Sequence, residues 1–470
     1  MIGSQEQLIP SEAAMAEIQP FRAYRYDTKK NKLENVLTQP YDKISPAMQD
    51  KYYAASPDNL IIIEKGRSLP GDTAENNVYT RAGAKVAEWI KNKTLVQDEA
   101  PAITIYSQEY LVPHTHTKKT RLGFIALGRV EDYDKGVVFR HEYTLSGPKA
   151  DRIELLKHTH MQTGQLFMLF NDAPGRVDAI LDEWTAKHTP EQMTDEYGVI
   201  HRMWPVTDAK FIARVQQAMS DKKILIADGH HRYETAINSR NEARARRGAA
   251  EPDLYAPEEF AMMTFVSTAA KGMTILPTHR MIKGVKDFDF VKFREKVARN
   301  WDWYSYPFTN DEERKAAYEE FRKDLEGGKH KRRAIGVYAG GGAFYLFVLR
   351  KDADLEQLLP DVSEAQRGLD IVLLHRLLIG KGLGVTAEQV TAGEYVTYKR
   401  EFDGALAAVD AGEQQIAFLL VPVDVKQVAE IALGGDVMPQ KSTDFYPKLL
   451  SGVAIYHVDG ERVAGGKTTS

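Results

Sequence analysis

The sequence predicts an α+β (mixed α/β) protein. Helical and strand periodicities alternate along most of the 470 residues. Hairpin patterns interrupt that alternation around "PHTHTKKTR" and "AGGGAF", so a clean doubly wound sheet does not fit. The stretch "ILIADGHHRYETA" (224–236) runs an aliphatic strand into a polar junction that opens a helix.

Taken in order, "FRAYRYD" (21–27) alternates like a strand. A Pro-marked turn, "LTQPYDKIS", leads to a short helix and then to an apolar run, Ile61 to Ile63, that reads as a strand. Helical spacing through Ala82, Val86, Trp89 and Ile90 predicts a helix over 77–95. "AITIYSQEYLV" and "LGFIALGRVED" predict two strands joined by a loop. A helix is expected from Asp151, a strand in "GQLFMLFND", and helices in "DAILDEWTAK" and "DAKFIARVQQAMSDK". Further on, "MTILPTHRMI" reads as a strand with a polar end and "DFVKFREKVARN" as a helix. A hairpin follows over Gly340 to Gly342, and then the apolar helix "DIVLLHRLLIGKGLG", ended by glycine. "QIAFLLVPV", "VKQVAEIAL" and "GVAIYHVDG" predict strand, helix, strand.

Composition narrows the chemistry. Hydrophobic residues make up 43% and charged residues 27%, ordinary for a globular chain with a real core. A net charge of -4 disfavours nucleic acid as the main partner. With no cysteine, disulfides, thiolate catalysis and cysteine-ligated metals are excluded. The polar, acidic N-terminus has no signal-peptide pattern, and no apolar run reaches the ~20 residues of a membrane span. No membrane partner is expected, and the expected location is cytoplasmic.

The junction at 228–232 carries the most chemistry. Asp228 is placed to cap the following helix, and Gly229 permits a tight turn. The first helical N–H groups lack internal partners and carry the positive end of the dipole, a ready anion site. His230, His231 and Arg232 in that first turn oppose the dipole, a conflict that a bound anion relieves. Arg232 offers a planar fork suited to phosphate oxygens. Lys149 and Arg152 add positive charge, and the competing reading pairs them with Asp151 or Glu154 on a solvated face. The pairs His114/His116 and His158/His160 raise zinc as an alternative, against which stands the lysine-rich loop around the first pair. There is no GxxxxGK[ST] and no protein-kinase catalytic loop.

"ADGHHRYETA" resembles the signature of the ParB/sulfiredoxin superfamily, and its "DGHHR" form resembles free serine kinases, which phosphorylate the hydroxyl of L-serine itself. "VVFRHEYTLSGPKADRIELL", "TILPTHRMIKG" and "GGDVMPQKSTDFYPKLLSGV" resemble further kinase segments in the same order. With "QPFRAYRYD" and "QPYDKIS", they make residues 18–460 resemble a larger bacterial and archaeal family long of unknown function, some of whose members are pyrophosphate-dependent serine kinases. The resemblance implies a ParB/sulfiredoxin-like core with N-terminal additions and a C-terminal α/β domain. The expected division is a tail (1–17), an N-terminal α/β region (18–120), a phosphate-binding core (121–285), a substrate domain (286–460) and a tail (461–470).

It also implies roles. Glu142, beside His141, is the expected base. Asp228, Gly229, His230, His231 and Arg232 hold the donor, with Lys149 and Arg152. Thr278, His279 and Arg280, and Lys441, Ser442 and Thr443, hold serine; Gln440 between Pro439 and Lys441 departs from the kinase pattern. Mg²⁺ is expected because phosphate donors arrive as magnesium complexes, with its protein ligands unassigned. Pyrophosphate, ADP and ATP all fit as donor. The competing readings are a phosphoserine-dephosphorylating enzyme using the same residues and a ParB-like nucleotide-dependent DNA-binding protein. The second is supported by "RNEARARRG" alone, which also suits the C-terminal end of a helix dipole.

Overall fold

The computed structural model describes residues 15–142, 146–248, 253–327 and 333–463, with the main chain alone for 146–149. The protein is mixed α/β. Its chain divides into two units. One comprises Met1–Arg140, Thr144–Thr274 and Pro447–Ser470; the other comprises His141–Tyr143 and Ile275–Tyr446.

The first unit is built on one large sheet. Its strands run in the order Val138–Phe139, Ile224–Asp228, Leu166–Phe170, Phe260–Ser267, Lys118–Arg129, Ile103–Leu111, Ile200–Val206 and Glu191–Thr194, with Ile18–Gln19 also paired to Lys118–Arg129. Pairing is antiparallel except where Ile224–Asp228 meets Val138–Phe139 and where Phe260–Ser267 meets Leu166–Phe170. Its core packs Phe124, Met168, Ile226, Met263 and Phe265 from the sheet against Val177, Leu181, Phe211 and Val215 from helices. The expected cut at 120/121 differs from this division, because Ile103–Leu111 and Lys118–Arg129 are hydrogen-bonded neighbours in one sheet.

Two local readings are corrected, and one strand carries no sequence signal. Ile61–Ile63 belongs to a short helix, Ile61–Glu64. Asn59 supplies the local signal: its side-chain oxygen accepts the Ile61 N–H at 2.8 Å, an Asx-type bond that starts a turn rather than a strand. The helix expected from Asp151 starts at Ser146. "FAMMTFVS" is a strand, Phe260–Ser267, buried at every position; with both faces covered it has no alternation to read.

The second unit holds an antiparallel six-stranded sheet in the order Trp301–Pro307, Ala343–Leu349, Ala334–Tyr338, Ile416–Leu419, His279–Ile282, Val396–Lys399. Phe321 and Leu325 of the helix Asp311–Leu325, with Leu406 and Val409 of Phe402–Asp410, pack on Met281, Phe344 and Leu419. A Cβ at Gly336 would come within 2.6 Å of the Phe321 ring, so this close approach requires glycine. The apolar run "DIVLLHRLLIGKGLG" begins as a helical turn, Asp370–Leu373, and continues as a π-helix, Leu374–Leu383, ended at Gly384 with φ 78°.

Candidate functional site

In the first unit, the strand Ile224–Asp228 is buried through Ala227 and slips register against Leu166–Phe170 between Ile226 and Asp228. The bulge bends the chain into Gly229, whose φ of 95° suits glycine. An added Cβ would sit 3.1 Å from the Arg232 guanidinium and from a Leu166 methyl. The helix His230–Arg247 starts there with no side-chain cap. The reading of Asp228 as the cap is therefore corrected. Its carboxylate turns to two cations instead: Oδ1 lies 3.4 Å from Lys448 Nζ, and Oδ2 lies 3.4 Å from Arg232 Nη2.

Burial alone would raise the Asp228 carboxyl, but Lys448, Arg232, Lys43 and His230 together hold it well below the usual carboxylate range. Two cations thus meet one carboxylate at the first turn of a helix. Arg232 also donates to the Gln165 carbonyl at 2.6 Å, which fixes its fork. His231 lies in the same turn, with its carbonyl accepting the Thr235 hydroxyl at 2.8 Å.

Lys448 is placed by its main chain. The Pro447 carbonyl accepts from Arg121, and the Lys448 carbonyl accepts from Gln108 Nε2 at 2.8 Å. Ser451 donates to Glu64 at 3.0 Å from its hydroxyl and to the Thr38 carbonyl at 2.9 Å from its N–H. Gly452 N–H donates to the Thr163 carbonyl at 2.8 Å.

Arg152 stands behind this cluster. Its guanidinium pairs with Asp151, donates to the Glu64 carbonyl at 3.0 Å and lies over the Tyr41 ring at 4.2 Å. Both the ion-pair reading and the cluster reading of Arg152 are thus visible in one side chain. Burial pushes the Tyr41 hydroxyl up to about 12 against the pull of Arg232 and Arg152, so Tyr41 stays a neutral donor. Arg152, Arg232, Glu64 and Gly164 line a cleft whose other walls include Leu155, Met161 and Ala261. The Lys149 side chain lies outside the described residues.

The second unit carries the His-Glu pair. His141 is fully buried, and its Nε2 lies 2.7 Å from the Thr443 hydroxyl. Glu142 Oε1 accepts from the Thr443 N–H at 3.1 Å and from its hydroxyl at 3.2 Å. The Met438 N–H donates to the His141 carbonyl at 2.7 Å, and Glu142 makes a parallel bridge to Met438. Thr443 therefore orients Glu142. Ser442 is turned inward, its hydroxyl donating to the Pro439 carbonyl. Lys441 adopts φ 58°, a left-handed conformation rare outside glycine and asparagine.

The run Thr278–Arg280 is split by the strand's alternation. His279 packs at 4.2 Å on the Phe402 ring and accepts the Leu420 N–H at 3.2 Å through Nδ1. Burial, with Arg280 and Arg322 nearby, lowers it to about 3, so it is a neutral core histidine. Arg280 lies over Tyr398 at 5.4 Å and donates to the carbonyls of Thr278, Gln440 (3.1 Å) and Lys441 (2.8 Å). Thr278 is buried and lends its carbonyl to that set.

The family model described as a protein of unknown function (DUF1015) matches residues 18–372. The chain belongs to this family. No curated protein matches it significantly. Among solved structures, a conserved hypothetical protein from Pyrococcus furiosus shares 15% identity with TM-score 0.33, covering 69% of this chain and 93% of that one. A free serine kinase in complex with AMP shares 14% with TM-score 0.31 (66% and 83% covered), and a mutant of it in complex with ADP shares 14% with TM-score 0.33 (72% and 92%).

Among the described residues, no group of three or more histidines, aspartates or glutamates is set to hold a metal ion. Asp228 directs one oxygen to each of two cations, Lys448 and Arg232. A divalent cation carried by phosphates brings its own oxygen ligands and needs few from protein. Among the described residues no helix is long and apolar enough to cross a membrane.

Sequence reasoning missed Lys448, Tyr41, Lys43 and Glu64. Tyr41 and Lys43 stand in "QPYDKIS" and Lys448 in "DFYPKLLSGV", both quoted for resemblance but given no role.

Proposed function

We propose that this chain is a small-molecule phosphotransferase that moves a phosphoryl group from pyrophosphate or a nucleotide (ADP or ATP) to the hydroxyl of free L-serine, giving O-phosphoserine. The observation that carries the reading is the Asp228 carboxylate set 3.4 Å from each of two cations, Lys448 and Arg232, at the start of the helix His230–Arg247. A carboxylate held between cations organises their positions, and the positive end of the helix dipole favours phosphate oxygens there. Phosphoryl transfer asks mainly for positioning and charge neutralisation, and this cluster supplies both for a donor.

In the proposed step the serine oxygen forms a bond to phosphorus as the bridging P–O bond of the donor breaks. The hydroxyl proton goes to Glu142, and the leaving group departs as phosphate or the shortened nucleotide. Thr443 supports Glu142 in this role by fixing one of its oxygens through two hydrogen bonds. His141, behind Thr443, completes the chain of hydrogen bonds. Arg280 holds the carbonyls of Gln440 and Lys441 and so fixes the loop that carries Thr443. The test is product formation: incubation with L-serine, Mg²⁺ and each donor in turn, followed by detection of phosphoserine. Consumption of phosphoserine with phosphate, in place of its formation, would assign the dephosphorylating direction.

A further inference from the structure

Tyr106 and Gln108 stand two positions apart on the strand Ile103–Leu111 and so share one of its faces. Gln108 Nε2 holds the Lys448 carbonyl at 2.8 Å. Thr104, two positions the other way, accepts from Arg25 Nη2 at 2.6 Å, and Arg25 Nη1 donates to the Val453 carbonyl at 3.0 Å. The segment from Lys448 to Val453 is therefore pinned over this face at both ends. Between them, the Leu450 main chain hydrogen-bonds the Tyr106 hydroxyl.

Tyr106 is 2% exposed and stacks on His201 of the adjacent strand Ile200–Val206, with ring centroids 5.9 Å apart. Its hydroxyl lies 2.6 Å from His201 Nδ1. His201 Nε2 lies 3.2 Å from Asp195 Oδ2, and both side chains are buried. Burial lowers the imidazole below its ordinary value against the pull of Asp195, so the ring is neutral and carries one N–H. A carboxylate oxygen can only accept, so that proton sits on Nε2, and Nδ1 accepts from the Tyr106 hydroxyl. The tyrosine proton is thus committed, and its oxygen meets the Leu450 N–H as an acceptor.

Asp195 is itself held. Its Oδ1 accepts the N–H groups of Tyr197 and Val199, each at 2.9 Å. Its Oδ2 also accepts from Gln39 Nε2 at 3.1 Å, and beside Gln39 the Thr38 carbonyl accepts the Ser451 N–H at 2.9 Å. One buried carboxylate therefore reaches the Lys448 segment from two sides, through His201 and Tyr106 and through Gln39.

We propose that Asp195, His201 and Tyr106 form a buried positioning relay that orders the main chain of residues 448–451 and so keeps the Lys448 ammonium at the Asp228 carboxylate. The three are positioning residues that act through Lys448. The consequence for donor binding rests on the phosphotransferase reading above; the relay itself rests on hydrogen bonds within the first unit.

Asp195→Asn tests the relay while keeping the shape of the side chain. The two main-chain donors keep the amide oxygen at the Oδ1 position, so the amide N–H faces His201 Nε2 and reverses the tautomer. Nδ1–H then donates to the Tyr106 oxygen, and the displaced tyrosine proton meets the Leu450 N–H, donor against donor. Nitrogen NMR of the full chain should show the Nε2–H form of His201 in wild type and the Nδ1–H form in the variant. Hydrogen exchange in residues 448–452 should be at least tenfold faster in Asp195→Asn and in Tyr106→Phe. Affinity for pyrophosphate, ADP or ATP, whichever binds wild type, should be at least tenfold weaker in both, with L-serine affinity unchanged.

Tyr110→Phe is the control. It removes another buried hydroxyl from the same strand face, one that donates to the Gly272 carbonyl at 2.9 Å and to the Thr274 hydroxyl at 2.8 Å. It should cost stability and leave both the exchange of 448–452 and donor affinity as in wild type. An Nδ1–H imidazole in wild type, unchanged exchange in both relay variants, or the same losses in Tyr110→Phe overturns the relay. Faster exchange with unchanged affinity for a donor that binds wild type also overturns it. Faster exchange in a chain that binds none of the donors leaves the relay standing and removes the donor reading. Should Asp195→Asn fail to fold, Tyr106→Phe against Tyr110→Phe decides.

Discussion

Asp228 Oδ1 lies 3.4 Å from the ammonium of Lys448, a residue 220 positions away whose side chain is 9% exposed. The pair joins the end of a buried strand to a segment that returns to the first unit near the C-terminus. Lys448→Met keeps the length of the stem and removes the charge. Donor affinity should fall by about 1.5–3 kcal/mol, the worth of a hydrogen bond to a charged group. Titration of pyrophosphate into wild type and variant measures this, and equal affinities would remove Lys448 from the donor site.

Arg232→Ala should weaken donor binding by a similar ~1.5–3 kcal/mol and L-serine binding little. The guanidinium also holds the Gln165 carbonyl and Asp228, so some loss of thermal stability should accompany it. Comparable losses for both substrates would count against a donor role.

The pH dependence of Asp228 has a definite sign. Its carboxyl lies below the ordinary value of about 3.9, so its stabilisation is complete above that pH and is lost as pH falls through the folded-state value. Asp228→Asn should destabilise the chain at neutral pH, and the gap to wild type should narrow below about pH 4. Denaturant titrations at pH 6 and pH 3 check this, and a gap that does not change would show that the lysine and arginine do not lower this carboxyl.

His279 has the same sense of dependence in a different window. The unfolded chain takes up a proton near its ordinary value of about 6.5, while the folded chain resists until about 3. Stability contributed by this neutral imidazole is therefore present above about 6.5 and is lost as pH falls toward 3. His279→Leu should flatten that part of the profile and leave the KM for serine unchanged. A raised KM with unchanged pH dependence would return His279 to the substrate site.

Much of this arrangement was legible in the sequence, and the exceptions have physical causes. The strand–turn–helix at 224–247 could be read because apolar run, glycine and helical spacing agree there. Asp228 reads as a helix cap in the sequence and is an ion-pair residue in the structure, because the two look alike until the distant cation is known. Lys448 could not be found by local reasoning, because its place depends on Gln108, Arg121 and Thr38, each hundreds of residues away in sequence. The Thr278–Arg280 run looked like one site because adjacency in sequence hides the alternation of a strand. Phe260–Ser267 escaped because burial on both faces removes the period on which the strand signal depends.

Thr443 is expected to act through Glu142. Thr443→Val removes a hydroxyl that meets both Glu142 and His141, and Thr443→Ser retains it. The valine variant should lose turnover with little change in donor affinity, and serine should restore most of it. Equal turnover of the valine variant and wild type would leave Thr443 as a loop residue only.

The central claim is transfer of phosphate to serine with Glu142 as the base, and phosphorus NMR of the purified chain with Mg²⁺, L-serine and pyrophosphate, ADP or ATP tests it most directly. The account predicts a phosphoserine resonance growing with at least one donor. Glu142→Gln should slow its growth by roughly 10²–10⁴-fold, the usual worth of general-base catalysis, with donor affinity nearly unchanged. No phosphoserine with any donor and no consumption of added phosphoserine, or a Glu142→Gln variant that keeps more than about a tenth of the rate, a loss well below that range, would contradict it.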